Sequence, residues 1–206
     1  MKKTSSEWNR HLPAGGDGAH LFPEFEKRAK AAAAEVFRVK TLREAASLIL
    51  TLAGQAGARK VVSTESFLLN EAGLKGAFTA AGIEFYNVQA DIAAHAPTAD
   101  IGISGGEFGI AESGSVCQDS YSIESRLVST LPPVHVVLLD SNLIVPGISE
   151  AFAILSRAFE RGYVTFITGP SRTADIEVVL TIGVHGPVRL VIIAVDECPE
   201  EGGNAQ

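Results

Sequence analysis

The sequence is short of the residues that mark most metal and cofactor sites. Its two cysteines, Cys117 and Cys198, lack C-x-x-C spacing, so the chain cannot by itself ligate an iron–sulfur cluster or form a zinc ribbon. Neither His135 nor His185 stands in an H-x-x-x-H or His-carboxylate pattern, and no metal site is expected. Gly105-Gly106 does not complete G-x-G-x-x-G, and no G-x-x-x-x-G-K-[ST] loop occurs, which leaves a nicotinamide or nucleoside triphosphate unsupported. Positive charge is also scarce. A net charge of -7 argues against nucleic acid or an anionic membrane surface as the main partner. No run approaches 18 apolar residues, and the opening M-K-K-T-S-S-E-W-N-R has no apolar leader core, so a cytoplasmic chain without membrane insertion is expected.

What remains is an ordinary soluble composition with a legible order. Residues 1–20 carry Gly15, Gly16 and Gly18 among polar residues and read as an arm rather than a packed element. Its single Trp8 is either an anchor in a groove or, more plainly, a partly exposed side chain. Residues 22–39, alanine-rich and free of internal Gly, predict a helix. Thr41 followed by Glu44 is a capping box that opens a second helix, with Gly57 as its stop. Two helices are thus expected before the first strand, giving an N-terminal extension over 1–57 and an α/β domain over 58–198. Within that domain strands are predicted at 60–63, 83–88, 99–104, 134–140 and 164–168. Helices are predicted at 65–81 and 148–161, and irregular glycine-rich backbone at 103–118. Helices alternating with short β-branched runs indicate a mostly parallel sheet flanked by helices.

The stretch from 164 to 195 holds the densest chemistry. After Gly169-Pro170, Ile176, Val179, Leu180 and Gly183 fall at helical spacing, while Ile176, Val178, Leu180 and Ile182 alternate as in a strand. A helix is preferred, because 164–168 and 189–195 read as parallel strands that need a crossover. On that reading free N–H groups, the Ser171 and Thr173 hydroxyls and the Arg172 guanidinium converge on an anion.

Three motifs together resemble the lactate-utilisation protein C family, or LUD-domain family. They are I-S-G-G-E-F-G-I-A-E-S-G-S at 103–115, R-L-V-S-T-L-P-P-V-H at 126–135, and T-G-P-S-R-T-A-D-I-E with G-V-H-G-P across 168–187. The resemblance implies a fold similar to the NagB/RpiA/CoA-transferase group and a role beside two iron–sulfur proteins in oxidising L-lactate to pyruvate. The family commonly has A-E-T-G-T where Ala111-Glu112-Ser113-Gly114-Ser115 stands here; serine keeps the hydroxyl and loses a methyl.

Candidate roles follow. Glu112 is a base or nucleophile, or a carboxylate that accepts backbone N–H groups or pairs with Arg126 or Arg172. His185 can face the Arg172 pocket, and Ser113, Ser115, Ser171, Arg172 and Thr173 form the anion-binding set. His135, at the start of a buried strand, reads as structural. Three functions are compatible with these residues: an accessory subunit of a lactate-oxidising complex, a free-standing small-carboxylate or CoA-ester enzyme using Glu112 and Arg172, and an anion-sensing module. The first is preferred, with no cofactor on this chain and the clusters on its partners.

Overall fold

The computed structural model describes residue 12 and residues 17–158, 163–170, 172–174, 180–182 and 186–199. Trp8, Ser171 and His185 lie outside the described residues. In chain order the strands are β1 (Glu35–Thr41), β2 (Lys60–Ser63), β3 (Glu84–Tyr86), β4 (Ile101–Gly105), β5 (Phe108–Ile110) and β6 (Ser115–Asp119). They continue with β7 (Val134–Asp140), β8 (Ile144–Val145), β9 (Val164–Ile167), β10 (Arg172–Ala174), β11 (Leu180–Ile182) and β12 (Arg189–Glu197). The helices are α1 (Phe22–Ala31), α2 (Leu42–Gln55), α3 (Phe67–Glu71), α4 (Leu74–Ala80), α5 (Gln89–His95), α6 (Ile123–Thr130) and α7 (Ile148–Ala158). None of the described helices is long and apolar enough to cross a membrane.

The core is a six-stranded sheet of order β1-β12-β7-β4-β2-β3, parallel at every pairing. Because side chains alternate along a strand, each face has its own cluster. Val61, Ile101, Ile103, Val136, Leu138, Val191 and Ile193 point to one face and pack on Ile49 of α2 and on Leu74 and Phe78 of α4. On the opposite face Val36, Val137, Leu139 and Ile192 meet Phe22, Phe25 and Ala29 of α1 and Val116 of β6. Val62 and Val128 form a neighbouring cluster there with Ile92 of α5. Fully burying one such side chain stabilises the fold by about 1.5–3 kcal/mol, so this two-sided layer dominates stability.

A strand, not a second helix, follows α1, which corrects the expected helix over 22–39. Ala33 takes φ 66° and turns the chain into β1, which joins the parallel sheet beside β12. The alanine run has no breaker to announce this stop. The signal was the alternation after it, since Val36 packs on one face of the sheet and Phe37 and Val39 on the other. Thr41 caps the helix as expected, the Glu44 N–H donating to Thr41 Oγ1 at 3.3 Å, while the Glu44 carboxylate reaches back one residue further and accepts the Lys40 N–H at 2.8 Å. Part of the expected arm is also packed. Leu12 is buried beside Phe108, Ile110 and Val145, and the Gly18 N–H donates to the Asn142 carbonyl at 3.0 Å. Between the predicted strands at 83–88 and 99–104, the stretch with His95 and Pro97, read from sequence as a loop, forms α5 and a 3-10 turn, with His95 stacked on Tyr86.

The glycine-rich segment after β4 is more regular than expected. β5 and β6 make an antiparallel hairpin within a second sheet of order β8-β5-β6-β9. β9 therefore belongs to this sheet and β12 to the six-stranded one, and the two are not parallel neighbours. The crossover helix between them loses its reason. β10 and β11 instead pair antiparallel, Arg172 opposite Ile182 and Ala174 opposite Leu180, so among the described residues Leu180 and Ile182 lie in a strand and not in the expected helix.

Candidate functional site

The hairpin turn carries the predicted loop residues. Gly114 takes φ 67°, and a Cβ there would lie 2.1 Å from the Ala29 nitrogen, so only glycine lets the turn seat against the last turns of α1. This brings three hydroxyls together. Ser113 Oγ lies 2.8 Å from Ser115 Oγ, and Ser115 Oγ lies 2.8 Å from Thr168 Oγ1. Ser115, the middle member, is buried, while Ser113 is half-buried and Thr168 exposed, so the chain of hydroxyls reaches solvent at Thr168. Thr168 was not singled out from the sequence; the pairing of Val116 with Ile167 across β6 and β9 is what places it there. Two of the three motifs thus meet at Ser115–Thr168, three residues before Ser171, Arg172 and Thr173 of the predicted anion set.

Glu112 is exposed, and its Oε2 accepts the Ile148 N–H at 2.9 Å, at the first residue of α7. Glu150, in that helix's first turn, lies on the same side: a Cβ on Gly147 would stand 2.7 Å from Glu112 Oε2 and 3.1 Å from Glu150 Oε2. Two carboxylates therefore complement this helix start. The arrangement matches the reading of Glu112 as an acceptor of backbone N–H groups, with the donor coming from α7 and not from its own glycine-rich loop. Arg126 does not face it either, lying over the Tyr163 ring at 5.0 Å.

The second motif meets the first inside the sheet. His135 Nε2 lies 2.8 Å from Ser104 Oγ, both side chains being buried. Burial pushes the imidazole down to about 3, so it stays neutral and serves as a structural hydrogen-bond partner. Directly above, α6 approaches β4 so closely that a Cβ on Gly102 would lie 2.0 Å from the Val128 carbonyl oxygen. Much of this motif is accounted for by helix-to-strand contact. Both cysteines are free, and burial pushes both thiols well above their ordinary range, which keeps them protonated and poorly nucleophilic.

The sheet order itself points to a place that sequence reading missed. From β2 the chain passes to β3 on one side, and the next strand, β4, lies on the other side of β2. Open parallel sheets bind ligands at the carboxyl ends of strands where the order reverses in this way. Here those ends carry Ser63, Thr64 and Ser66 after β2 and Gly105-Gly106 after β4, held together by the Thr64 N–H donating to the Ile103 carbonyl at 3.0 Å. Further along the same edge the polar groups satisfy one another. Ser141 Oγ donates to Asp196 Oδ1 at 2.6 Å, Arg38 Nε donates to the same oxygen at 2.8 Å, and Asn142 bonds Asp140 and the Asp196 carbonyl. Ser-Thr-Glu-Ser at 63–66 matches no motif, and only the strand order reveals its position.

Comparison with known proteins agrees with this architecture. The chain is 37% identical over 108 residues to lactate utilization protein C of Geobacillus sp. strain WCH70, covering 50% of this chain and 45% of that one. It is also 37% identical over 107 residues to lactate utilization protein C of Bacillus subtilis strain 168, covering 50% of this chain. The chain spans about half the length of the curated relatives it matches. A DUF162 family protein from Deinococcus radiodurans shares the fold, with a TM-score of 0.59 at 20% identity over 86% of this chain and 98% of that one. The LUD domain profile matches residues 22–195, β1 and the closing strand β12 included, and the chain belongs to the LUD domain family.

Proposed function

We propose that this chain serves L-lactate utilisation as an accessory subunit, supporting oxidation of L-lactate to pyruvate together with iron–sulfur partner proteins. The observation that carries the reading is its similarity, over half its length, to proteins named lactate utilization protein C. The two electrons and two protons that leave lactate pass to the partners, whose clusters supply the redox chemistry; this chain contributes binding and orientation. The Ser113–Ser115–Thr168 hydroxyl chain supports a small anionic ligand, for which Ser171, Arg172 and Thr173 are the further candidates. Glu112 and His185 remain its candidate acid–base groups.

Anaerobic purification of the tagged chain from its native cell tests the role. Cluster-bearing proteins are expected to co-purify, and lactate-dependent dye reduction is expected only with them present. Dye reduction by the isolated, cofactor-free chain would overturn the assignment, as would purification without any such partner. Arg172→Ala tests the ligand site: it should remove anion-dependent thermal stabilisation, which for a ligand at 100 times its Kd is about 2.7 kcal/mol.

A further inference from the structure

A cavity of about 200 Å³ opens between the carboxyl ends of β2 and β3 and the α3–α4 turn, beside the strand-order reversal. It lies below the usual size range of drug-sized sites, about 300–1,000 Å³, which excludes a dinucleotide and leaves room for a small molecule. Its walls are of two kinds. Leu74 is buried and Phe85 stacks on Phe78 at 5.2 Å, giving a fixed apolar side. Thr64, Asn70, Lys75 and Asn87 also line it. Thr64 is 8% exposed, yet its hydroxyl has no hydrogen-bond partner among the described residues. The exposed Asn70 and half-buried Asn87 carboxamides likewise have none, and the exposed Lys75 forms no ion pair there, Glu71 lying at the end of the preceding helix beyond the Gly73 turn and Glu84 in β3. Glu84 instead accepts the Tyr86 hydroxyl at 2.9 Å. The lining therefore combines one ammonium without an ion pair, two amide groups and a hydroxyl with the hydrocarbon of Leu74 and Phe85.

We infer that this cavity binds a short-chain carboxylate, its anionic end on Lys75 and the Asn70 and Asn87 amides, its alkyl end on Leu74 and Phe85. A single cation matches a monoanion better than a phosphate dianion, and the apolar wall rewards an alkyl group that phosphate lacks. A hydroxyl or oxo group beside the carboxylate would reach Thr64. The site rests on its lining alone and stands apart from Ser113, Ser115 and Arg172.

The test is an amide chemical-shift titration of the isolated full chain with propionate, L-lactate, pyruvate and inorganic phosphate at matched ionic strength. The carboxylates should give saturable shifts centred on Thr64, Lys75 and Asn87, and phosphate should not. Lys75→Gln should weaken binding about tenfold or more, the usual scale for losing a charge-assisted contact. Gly76→Leu should abolish it with the fold retained, because a Cβ at Gly76 meets nothing within 4 Å and the longer side chain would stand at the cavity mouth. Phosphate binding as strongly as the carboxylates, an absence of saturable shifts at these amides, or unchanged affinity in both variants would each overturn the site. Shifts confined to residues 113–115 and 168–173 would also overturn it while favouring the other anion site. Partner co-purification is read separately, so the two proposals can fail independently.

Discussion

The two faces of the parallel sheet solve their packing differently. On the face covered by α2 and α4, Val61, Ile101, Ile103, Val136, Leu138 and Ile193 form an unbroken hydrocarbon layer. On the other, the row Val62, Gly102, His135, Leu190 includes a bare glycine and a buried imidazole, and Ser104 lies one step further along β4. α6 sits on the glycine, and α1, α5 and the second sheet fill the remainder. The first face tolerates any side chains of about the right volume; the second depends on specific atoms. The sequence motifs at 103–115 and 126–135 run along this second face. Much of their regularity therefore comes from close packing and not from ligand chemistry, and it follows that motif membership alone does not make a residue catalytic.

The largest test of this contrast compares two glycines. Gly102→Ala places a methyl 2.0 Å from the Val128 carbonyl, a backbone atom of α6 that cannot yield without moving the helix. A loss of about 3 kcal/mol or more is expected, the upper end for overpacking. At Gly109, in the second sheet, the nearest atoms are side-chain carbons of Leu139 and Phe25 at 3.1 Å and of Ile144 at 3.2 Å. Gly109→Ala should cost about 1–2 kcal/mol, since side-chain tips can shift by a few tenths of an ångström. Equal losses in chemical denaturation would remove the distinction between the two contacts.

The next effect belongs to His135. Its folded pKa is pushed from the ordinary 6.5 to about 3 by burial, so between those values the unfolded chain takes up a proton that the folded chain excludes. Stability should therefore fall as pH drops through that window, by up to about 1.4 kcal/mol per unit for one proton. Between pH 6.5 and 5 this group accounts for about 2 kcal/mol. His135→Gln can keep a hydrogen bond to Ser104 Oγ and cannot titrate, so its acid limb should be flatter than the parent's by that amount. If both proteins lose stability in parallel, His135 is not the source.

Parts of the fold were legible because local signals and tertiary context agreed. The capping box at Thr41 and Glu44, the strand at 134–140 and the alternation of helices and strands after residue 58 are of this kind. The failures came where they diverged. β1 follows an alanine-rich helix with no breaker, and only its pairing with β12 stabilises it as a strand. In the stretch after Arg172 two periods overlapped, and the choice turned on whether β9 and β12 shared a sheet, which no local pattern encodes. For the candidate site, Ser113 and Ser115 could be chosen from their hydroxyls. Thr168 and Thr64 could not, because each gains its position from strand pairing.

The smallest effect separates the sheet's interior from its rim on the same pH axis. Glu35 at the start of β1 accepts both a 2.6 Å bond from Arg189 Nε and a 2.8 Å bond from a terminal guanidinium nitrogen of Arg189 on β12. The hydrogen bond from Arg189 holds the Glu35 carboxyl below its ordinary 4.5. The sign is the same as at His135, since both pKa values are lower in the folded chain, and only the pH window differs. The Glu35 contribution is complete above pH 4.5 and disappears as pH falls through the folded value, when the carboxylate is protonated. The side chains are 30% and 43% exposed, so solvent and salt limit the pair to about 1 kcal/mol or less. Glu35→Gln should thus cost that small amount at neutral pH and low salt, and its difference from the parent should shrink both with added salt and below pH 4.5. For His135→Gln the difference should move in the same direction as acid is added, but beginning at the higher pH where the unfolded imidazole takes up its proton. A Glu35→Gln gap that persists at low pH would mean that the carboxamide's shape, and not the charge pair, accounts for the loss at that rim.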